Sequence, residues 1–349
     1  MKTFFGVDYH KHYSYGVIMT QDRQILKQGK FANNPQAIAQ FLSCAEGQHC
    51  SAVLEATRNW TVMHDWLEEL SDSVTLAHPR KLKAIAEAKI KTDKIDATIL
   101  AELLRCDLIP PAHVSSPQAR IIKRMLRHRI FLVRVRTMVK NRIHDLLDRH
   151  PLLRSQWIAE ELFSKNGRAW MGAIELPTVD RRILDSELTL LEQLSVQIKD
   201  MERILAQTGR EDPRVARLRS IPGIGPFFAM VLVAEIDDIH RFASAAKLHA
   251  YAGLIPSTQA SGGKTYHGQI IKHSNKYLRW ALIEAAWPAI RKDGTLRDIY
   301  ERIAARRGGN IAKVAVARRL LTIAYRLLME NLDYLPGTKI QTSAGLVRA

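Results

Sequence analysis

The chain has 349 residues, 46% of them hydrophobic, which is enough for two or three domains with cores and excludes wholesale disorder. Lysine and arginine number 52 against 35 acids, a net charge of +17, which points to a polyanion, because neutralising phosphates releases counterions. Cys44, Cys50 and Cys106 have neither zinc-ligand spacing nor an even disulfide count, MKTFFGVDYHKHY lacks a signal-peptide core, and the longest apolar stretch, FFAMVLVA, is too short for a bilayer, so a cytoplasmic protein with no membrane partner is expected.

Three strand-like runs come first, FFGVDYH, YSYGVIMT and QILKQGKFA, joined by short polar links as hairpins require. A helix-period run (PQAIAQFLSCA), a strand (SAVLEA), a helix (WTVMHDWLEEL), a strand (SVTLAHP) and helical segments from Arg80 to Cys106 follow. The order βββαβαβα predicts a mixed sheet with helices on its faces. It is the order of the ribonuclease H-like fold, in which the first and fourth strands are parallel central neighbours. On that fold Asp8 lies on the first strand and Glu55 at the end of the fourth. Asp93 and Asp96 follow the fifth, and all four acids converge at one edge.

KTDKIDA has two readings. Asp93 is a natural N-cap with Asp96 three residues on, and acids favour a helix N-terminus. Four converging carboxylates, by contrast, repel one another unless cations intervene, and two Mg2+ ions about 4 Å apart suit such an oxygen-rich set and phosphodiester exchange.

GVDYHK, LEAT, HPRKLKA and KTDKIDA, at these spacings, resemble the DEDD transposases of bacterial insertion sequences, a group that includes the Piv-type DNA invertases. The resemblance maps the family's acidic, metal-holding set onto Asp8, Glu55, Asp93 and Asp96, and implies Mg2+, with Mn2+ able to substitute, on a RuvC-like domain. This chain has Tyr9-His10-Lys11 after the first acid, where many members carry a small residue and a lysine. It has Thr57-Arg58 where many carry Thr-Gly.

Residues 120–149 carry ten lysines and arginines against two acids, with apolar residues at helical spacing. Such a helix packs one face and presents the other to phosphates, so Arg120, Lys123, Arg124, Arg127, Arg134 and Lys140 are expected nucleic-acid contacts. Pro151 ends the run, and residues 151–180 show mixed patterning. Leu191, Leu194, Ile198, Met201 and Leu205 then form a short heptad seam, open to packing within its own domain or to a dimer contact. GREDP, at 209–213, reads as a linker.

LRSIPGIGPFFAMVLVAEI resembles a helix-hairpin-helix, in which Gly223 and Gly225 permit positive φ and close approach of a backbone, so that helix N-terminal amides meet a phosphate. A Gly-rich polar loop with Ser257, Ser261 and Lys264 leads through Gly268, Lys272 and Asn275 to Arg279 on a helix. Lys264, Lys272 and Arg279 are taken as phosphate contacts. On spacing alone Ser261 is a loop serine, and a serine hydroxyl needs activation to attack. The family resemblance, SGG ahead of GQIIKHSN, implies Ser261 as the nucleophile, with Ser257 its local competitor. Helices continue to about Leu332, with Ile311, Val314, Leu320 and Leu321 as core, and a tail begins at Pro336.

The expected organisation is an α/β ribonuclease H-like (RuvC-like) DEDD domain at 1–115 and a basic helix with helical, coiled-coil spacer at 116–210. A mostly α-helical transposase domain with the serine loop covers 211–335, and a tail covers 336–349. The resemblance implies a site-specific DNA recombinase forming a covalent phosphoserine–DNA intermediate on double-stranded donor and target DNA. It further implies a structured guide RNA, a dimer or tetramer, and a bacterial, nucleoid-associated location. Two alternatives remain at this point: a RuvC-like junction nuclease using water, and a non-catalytic nucleic-acid-binding protein.

Overall fold

The computed structural model describes residues 2–86, 92–157, 161–261, 264–271 and 274–334, so Lys272 and the tail expected from Pro336 lie outside the described residues. The chain divides into two units after Val114.

The first unit is a five-stranded sheet of β1 (Lys2–Tyr9), β2 (Tyr13–Thr20), β3 (Ile25–Ala32), β4 (His49–Glu55) and β5 (Ser73–Ala77), in the order β3-β2-β1-β4-β5. β1 pairs antiparallel with β2 and parallel with β4; β4 pairs parallel with β5. As the central strand, β1 is covered on both faces, and its alternate residues serve two cores. Phe5 and Val7 pack with Ile38 and Phe41 of α1 (Pro35–Leu42) and with Met63 and Leu67 of α2 (Trp60–Leu70). Phe4 packs on the opposite face, against Ala97 and Ala101. Between β5 and the second unit lie α3 (Pro79–Ile85) and α4 (Asp93–Arg105), and Leu82, Leu100 and Leu103 close over Val53 and Ala77.

The second unit is mostly helical. α5 (Pro117–Asp148) is capped by Ser116, whose hydroxyl accepts from the Ala119 amide. α6 (Pro151–Arg154) and α7 (Lys165–Ala173) occupy the segment whose patterning was mixed. α8 (Thr178–Arg210) runs antiparallel to α5, with Arg129 on Glu202 and Arg142 on Glu187. Leu191, Leu194 and Ile198 of the heptad seam are buried against Leu132, Val139, Ile143 and Leu147 of α5. The seam therefore packs within the chain.

After the two-residue break at Glu211–Asp212 come α9 (Pro213–Arg219), α10 (Pro226–Ile236) and α11 (Ala245–Ala252). A hairpin of β6 (Pro256–Ser261) and β7 (Lys264–Ile270) follows, then α12 (Lys276–Lys292), α13 (Gly294–Arg307) and α14 (Gly309–Glu330). Ala229 to Ile236 of α10 are all buried, and apart from Glu235 this stretch is apolar all round because it is the centre of the core. Among the described residues no helix is long and apolar enough to cross a membrane. Ile311, expected in the core, is 52% exposed, one position off the buried stripe of Ala312, Val316 and Leu320.

Some of the basic helix faces inward. Lys123 is buried and donates to Ser115 Oγ at 2.6 Å, with Glu235 Oε2 at 4.0 Å, and burial pushes its ammonium below the usual lysine range. Arg127 pairs with Glu235 at 2.9 Å and stacks 4.6 Å over Tyr277, and Asn275 Nδ2 completes the carboxylate's partners at 2.9 Å. Lys123 is thus a core cation, and not a phosphate contact. Replacing Glu235 by Leu leaves two cations without their carboxylate and is expected to cost about 3–5 kcal/mol. Urea unfolding of the full chain measures it, and Lys123→Met in the same background should recover part of the loss.

Candidate active site

The acidic edge is built by one close approach. A Cβ on Gly6 would collide with the Ala97 carbonyl oxygen and stand 2.6 Å from the Ala101 amide nitrogen. Only a bare backbone at position 6 lets α4 lie directly on β1. Gly6 and Asp8 share a face of the strand, and Asp93, Ala97 and Ala101 share a face of the helix. The contact at Gly6 therefore carries Asp93, one turn earlier, to the end of β1 where Asp8 stands. Gly6→Val is expected to destabilise the fold by about 1–3 kcal/mol or more and to weaken divalent-cation binding, read by thermal unfolding and calorimetric titration.

Glu55 ends β4, next to β1, one residue beyond the Val7–Leu54 pair in the parallel register. Asp8, Glu55 and Asp96 line one open cleft of about 350 Å3, together with Arg80 and Lys83 of α3. Asp93 faces a second grouping. His10 Nε2 stands 3.0 Å from Asp8 Oδ2 and 3.3 Å from Asp93 Oδ1, and the Tyr13 hydroxyl donates to Asp93 Oδ2 at 2.8 Å. The ligand atoms of Asp8, His10 and Asp93 all lie within 4.8 Å of one another. Asp8 belongs to both groupings.

The electrostatics differ along the edge. Burial holds the Asp8 carboxyl above the usual aspartate range; His10 opposes this, and Asp96 and Asp93 reinforce it. The Tyr13 hydrogen bond, aided by His10 and Lys30, holds Asp93 below that range.

The helix cap is neither aspartate. Thr92 is the N-cap of α4, its hydroxyl accepting from the Ile95 amide at 3.3 Å, and Asp93 and Asp96 fall inside the first turn. The expected capping role of Asp93 is corrected accordingly. His10 and Tyr13 stand at this acidic edge, and sequence reasoning passed over them. The signal available was the unusual Tyr9-His10-Lys11 after the first acid.

In the second unit Ser261 closes β6, in register with Lys264 across a two-residue Gly-Gly link. This segment, expected as a loop, is a hairpin; two glycines between short polar strands are a hairpin signal. Gly225 is the N-cap of α10 at φ −80°, so it does not use the positive φ expected of it. Gly223 does, at +85°, but the backbone it approaches is that of α12: a Cβ there would run into Ala285 O and stand 2.7 Å from Ala289 N. Arg279 spends Nη1 on Ile271 O at 2.6 Å and Ser274 Oγ at 2.9 Å, which makes it a brace for the segment after β7. Arg124 and Arg134 face solvent; Lys140 is half-buried, 4.5 Å over the Phe163 ring, and Arg120 is half-buried.

Two families match this chain. One, the DEDD IS110 family described as transposase, covers residues 5–151, and the other, described as the transposase IS116/IS110/IS902 family, covers residues 215–301. The chain belongs to the DEDD transposases of insertion sequences. Curated relatives of this transposase span most of its length. A probable family 20 transposase of Pseudomonas aeruginosa is 28% identical over 82% of this chain and 86% of its own. The transposase for insertion sequence element IS1111A of Coxiella burnetii is 28% identical over 74% and 72%. The transposase for IS1328 of Yersinia enterocolitica is 26% identical over 82% and 86%. The DEDD transposase family implies DNA as substrate and divalent metal as cofactor.

Proposed function

We propose that this transposase is a serine-dependent DNA recombinase, on a RuvC-like first domain, whose acids Asp8, Glu55, Asp93 and Asp96 hold Mg2+ and whose Ser261 attacks DNA. The observation that carries the reading is the meeting of Asp8, Glu55 and Asp96 in one cleft with Asp93 beside Asp8. The donor set fits a divalent cation: hard carboxylate oxygens at one edge, with Asp8 already strained by burial and by its acidic neighbours. Bound Mg2+ supplies charge for the scissile phosphate and favours loss of the serine proton.

The protein's own groups do the rest. The Ser261 hydroxyl attacks phosphorus, the Oγ–P bond forms, the P–O3′ bond breaks, and the proton passes to the departing 3′ oxygen. One phosphodiester replaces another, so rejoining to a second DNA needs no external energy source. Arg80 and Lys83, lining the acidic cleft, hold the backbone flanking the scissile phosphate, and Arg124 and Arg134 on α5, which face solvent, contact nucleic acid. Recognition of donor and target is delegated to a structured guide RNA in a dimer or tetramer in the bacterial cytoplasm.

The test is a trap. The full-length protein, with the RNA that copurifies with it, is mixed with end-labelled donor DNA and Mg2+, then denatured. A labelled protein band whose DNA-bearing peptide contains Ser261 is the expected result. Cut DNA with no adduct would assign the attack to water and make this a junction nuclease.

A further inference from the structure

We propose that His10 is itself a ligand of the divalent cation at the acidic edge, so that one ion site here is mixed nitrogen–oxygen. The inference deepens the proposed function and rests on the reading that these acids bind a divalent cation.

The geometry is that of a coordination shell. His10 Nε2 stands 3.0 Å from an Asp8 oxygen and 3.3 Å from an Asp93 oxygen. Ligands at right angles around an ion with bonds of about 2.1 Å are spaced about 3 Å apart. His10 thus already presents its nitrogen at about that spacing from each carboxylate, and the ligand atoms of all three side chains lie within 4.8 Å of one another.

The main chain that carries the imidazole is also held at His10. Its backbone amide donates to Tyr13 O at 3.1 Å, and its carbonyl accepts from Asn33 Nδ2 at 2.8 Å; Asn33 Oδ1 in turn accepts from Ser14 Oγ at 2.7 Å. Tyr13, at the other end of this turn, fixes Asp93 through its hydroxyl. The turn between β1 and β2 therefore orients both His10 and a neighbouring carboxylate, which is what supporting shells do at metal sites. The His10 side chain is 39% exposed, so the grouping lies at the surface and not in the core.

A nitrogen donor changes which ion is preferred. Mg2+ takes oxygen ligands, whereas imidazole suits first-row transition ions, of which Mn2+ is the most oxygen-preferring. The grouping of Asp8, His10 and Asp93 therefore suits a transition ion better than it suits Mg2+, and Mn2+, which accepts both donor types, is the fitting probe. The cleft grouping of Asp8, Glu55 and Asp96 offers carboxylates only, and suits Mg2+.

Mn2+ alone, added to the full-length protein, is the probe. Pulsed electron paramagnetic resonance reads a nitrogen bonded directly to Mn2+, and calorimetric titration reads Mn2+ and Mg2+ affinities. The wild-type protein should show an imidazole nitrogen coupling. His10→Ala should lose it and bind Mn2+ at least about tenfold more weakly, since losing even a supporting partner of a metal ligand typically costs that much; Mg2+ binding should change less. His10→Gln places an amide near Nε2, so it keeps hydrogen bonds to Asp8 and Asp93 without an imidazole. If His10 only positions the acids, Gln restores Mn2+ affinity, and the proposal falls. It falls also if bound Mn2+ shows no nitrogen coupling, or keeps it in both variants, and in those cases the carboxylate reading stands. Failure of the wild-type protein to bind Mn2+ or Mg2+ would overturn both.

Discussion

Asp8→Asn is expected to abolish strand joining, by about a thousandfold or more, while DNA binding stays near wild type. The reason is position: Asp8 alone belongs both to the cleft with Glu55 and Asp96 and to the grouping with His10 and Asp93. Asparagine is nearly isosteric but carries no charge to hold a cation. The same substitution should raise the stability of the metal-free protein at neutral pH. Burial, first, and then Asp96 and Asp93 lift the folded-state pKa of Asp8 above its ordinary value. A group lifted in this way contributes stability at low pH that is lost as pH rises through the lifted value, so above it the ionised carboxylate is a cost. The advantage of Asn should therefore shrink as pH falls toward the ordinary aspartate range. Saturating Mg2+ should reverse the ranking, because only the wild-type protein gains the binding free energy. Thermal unfolding with and without Mg2+, beside a joining assay, separates these effects. Joining retained by Asp8→Asn would remove the carboxylate from the chemistry.

Part of this site is written in local sequence. The βββαβαβα order puts β1 beside β4 because a hairpin-connected meander leaves β1 with one open edge, and a crossover strand fills it in parallel. Asp8 and Glu55 follow from that pairing. Gly6 is equally local, yet its meaning is not: GVD reads as a strand start, and only the packed helix shows that Gly6 sets the approach of Asp93 to Asp8. The cap is a case of two adjacent candidates, and Thr92 takes it, leaving both aspartates inside the turn. The unusual Tyr9-His10-Lys11 marks His10, beside Asp8, but not its contact with Asp93, which lies on α4, 83 positions away. The basic helix shows the limit of counting charges. Ten cations in thirty residues lead one to expect a helix that meets phosphates, but a composition cannot say that Glu235, more than a hundred residues later, pairs with Lys123 and Arg127. A buried cation such as Lys123 is matched by a distant acid, and that matching is a property of the tertiary fold.

Ser261→Ala is expected to abolish both the covalent protein–DNA adduct and joining, by about a thousandfold or more, whereas Ser257→Ala should keep both. The two serines share β6 but differ in setting. Ser257 Oγ lies across the hairpin against Gly268, 2.5 Å from where a Cβ on that glycine would sit. Ser261 is the last residue of β6, paired with Lys264, with only the two glycines between them. A glycine link has no side chains to bar a bulky phosphodiester from the end of the strand. The chemistry makes the two outcomes separable. Attack by Ser261 conserves the phosphodiester on the enzyme, so the product is rejoined DNA. If water takes its place, the bond is lost to hydrolysis and the cut ends stay apart. Ser261→Ala should therefore give no adduct and no joined product, with at most slow nicking by water at the intact acidic edge. Nicking as fast as in the wild-type protein, with no adduct in either, would mean that water was the nucleophile throughout. An adduct surviving in Ser261→Ala but lost in Ser257→Ala would move the nucleophile four residues along the strand and leave the acids in their assigned role.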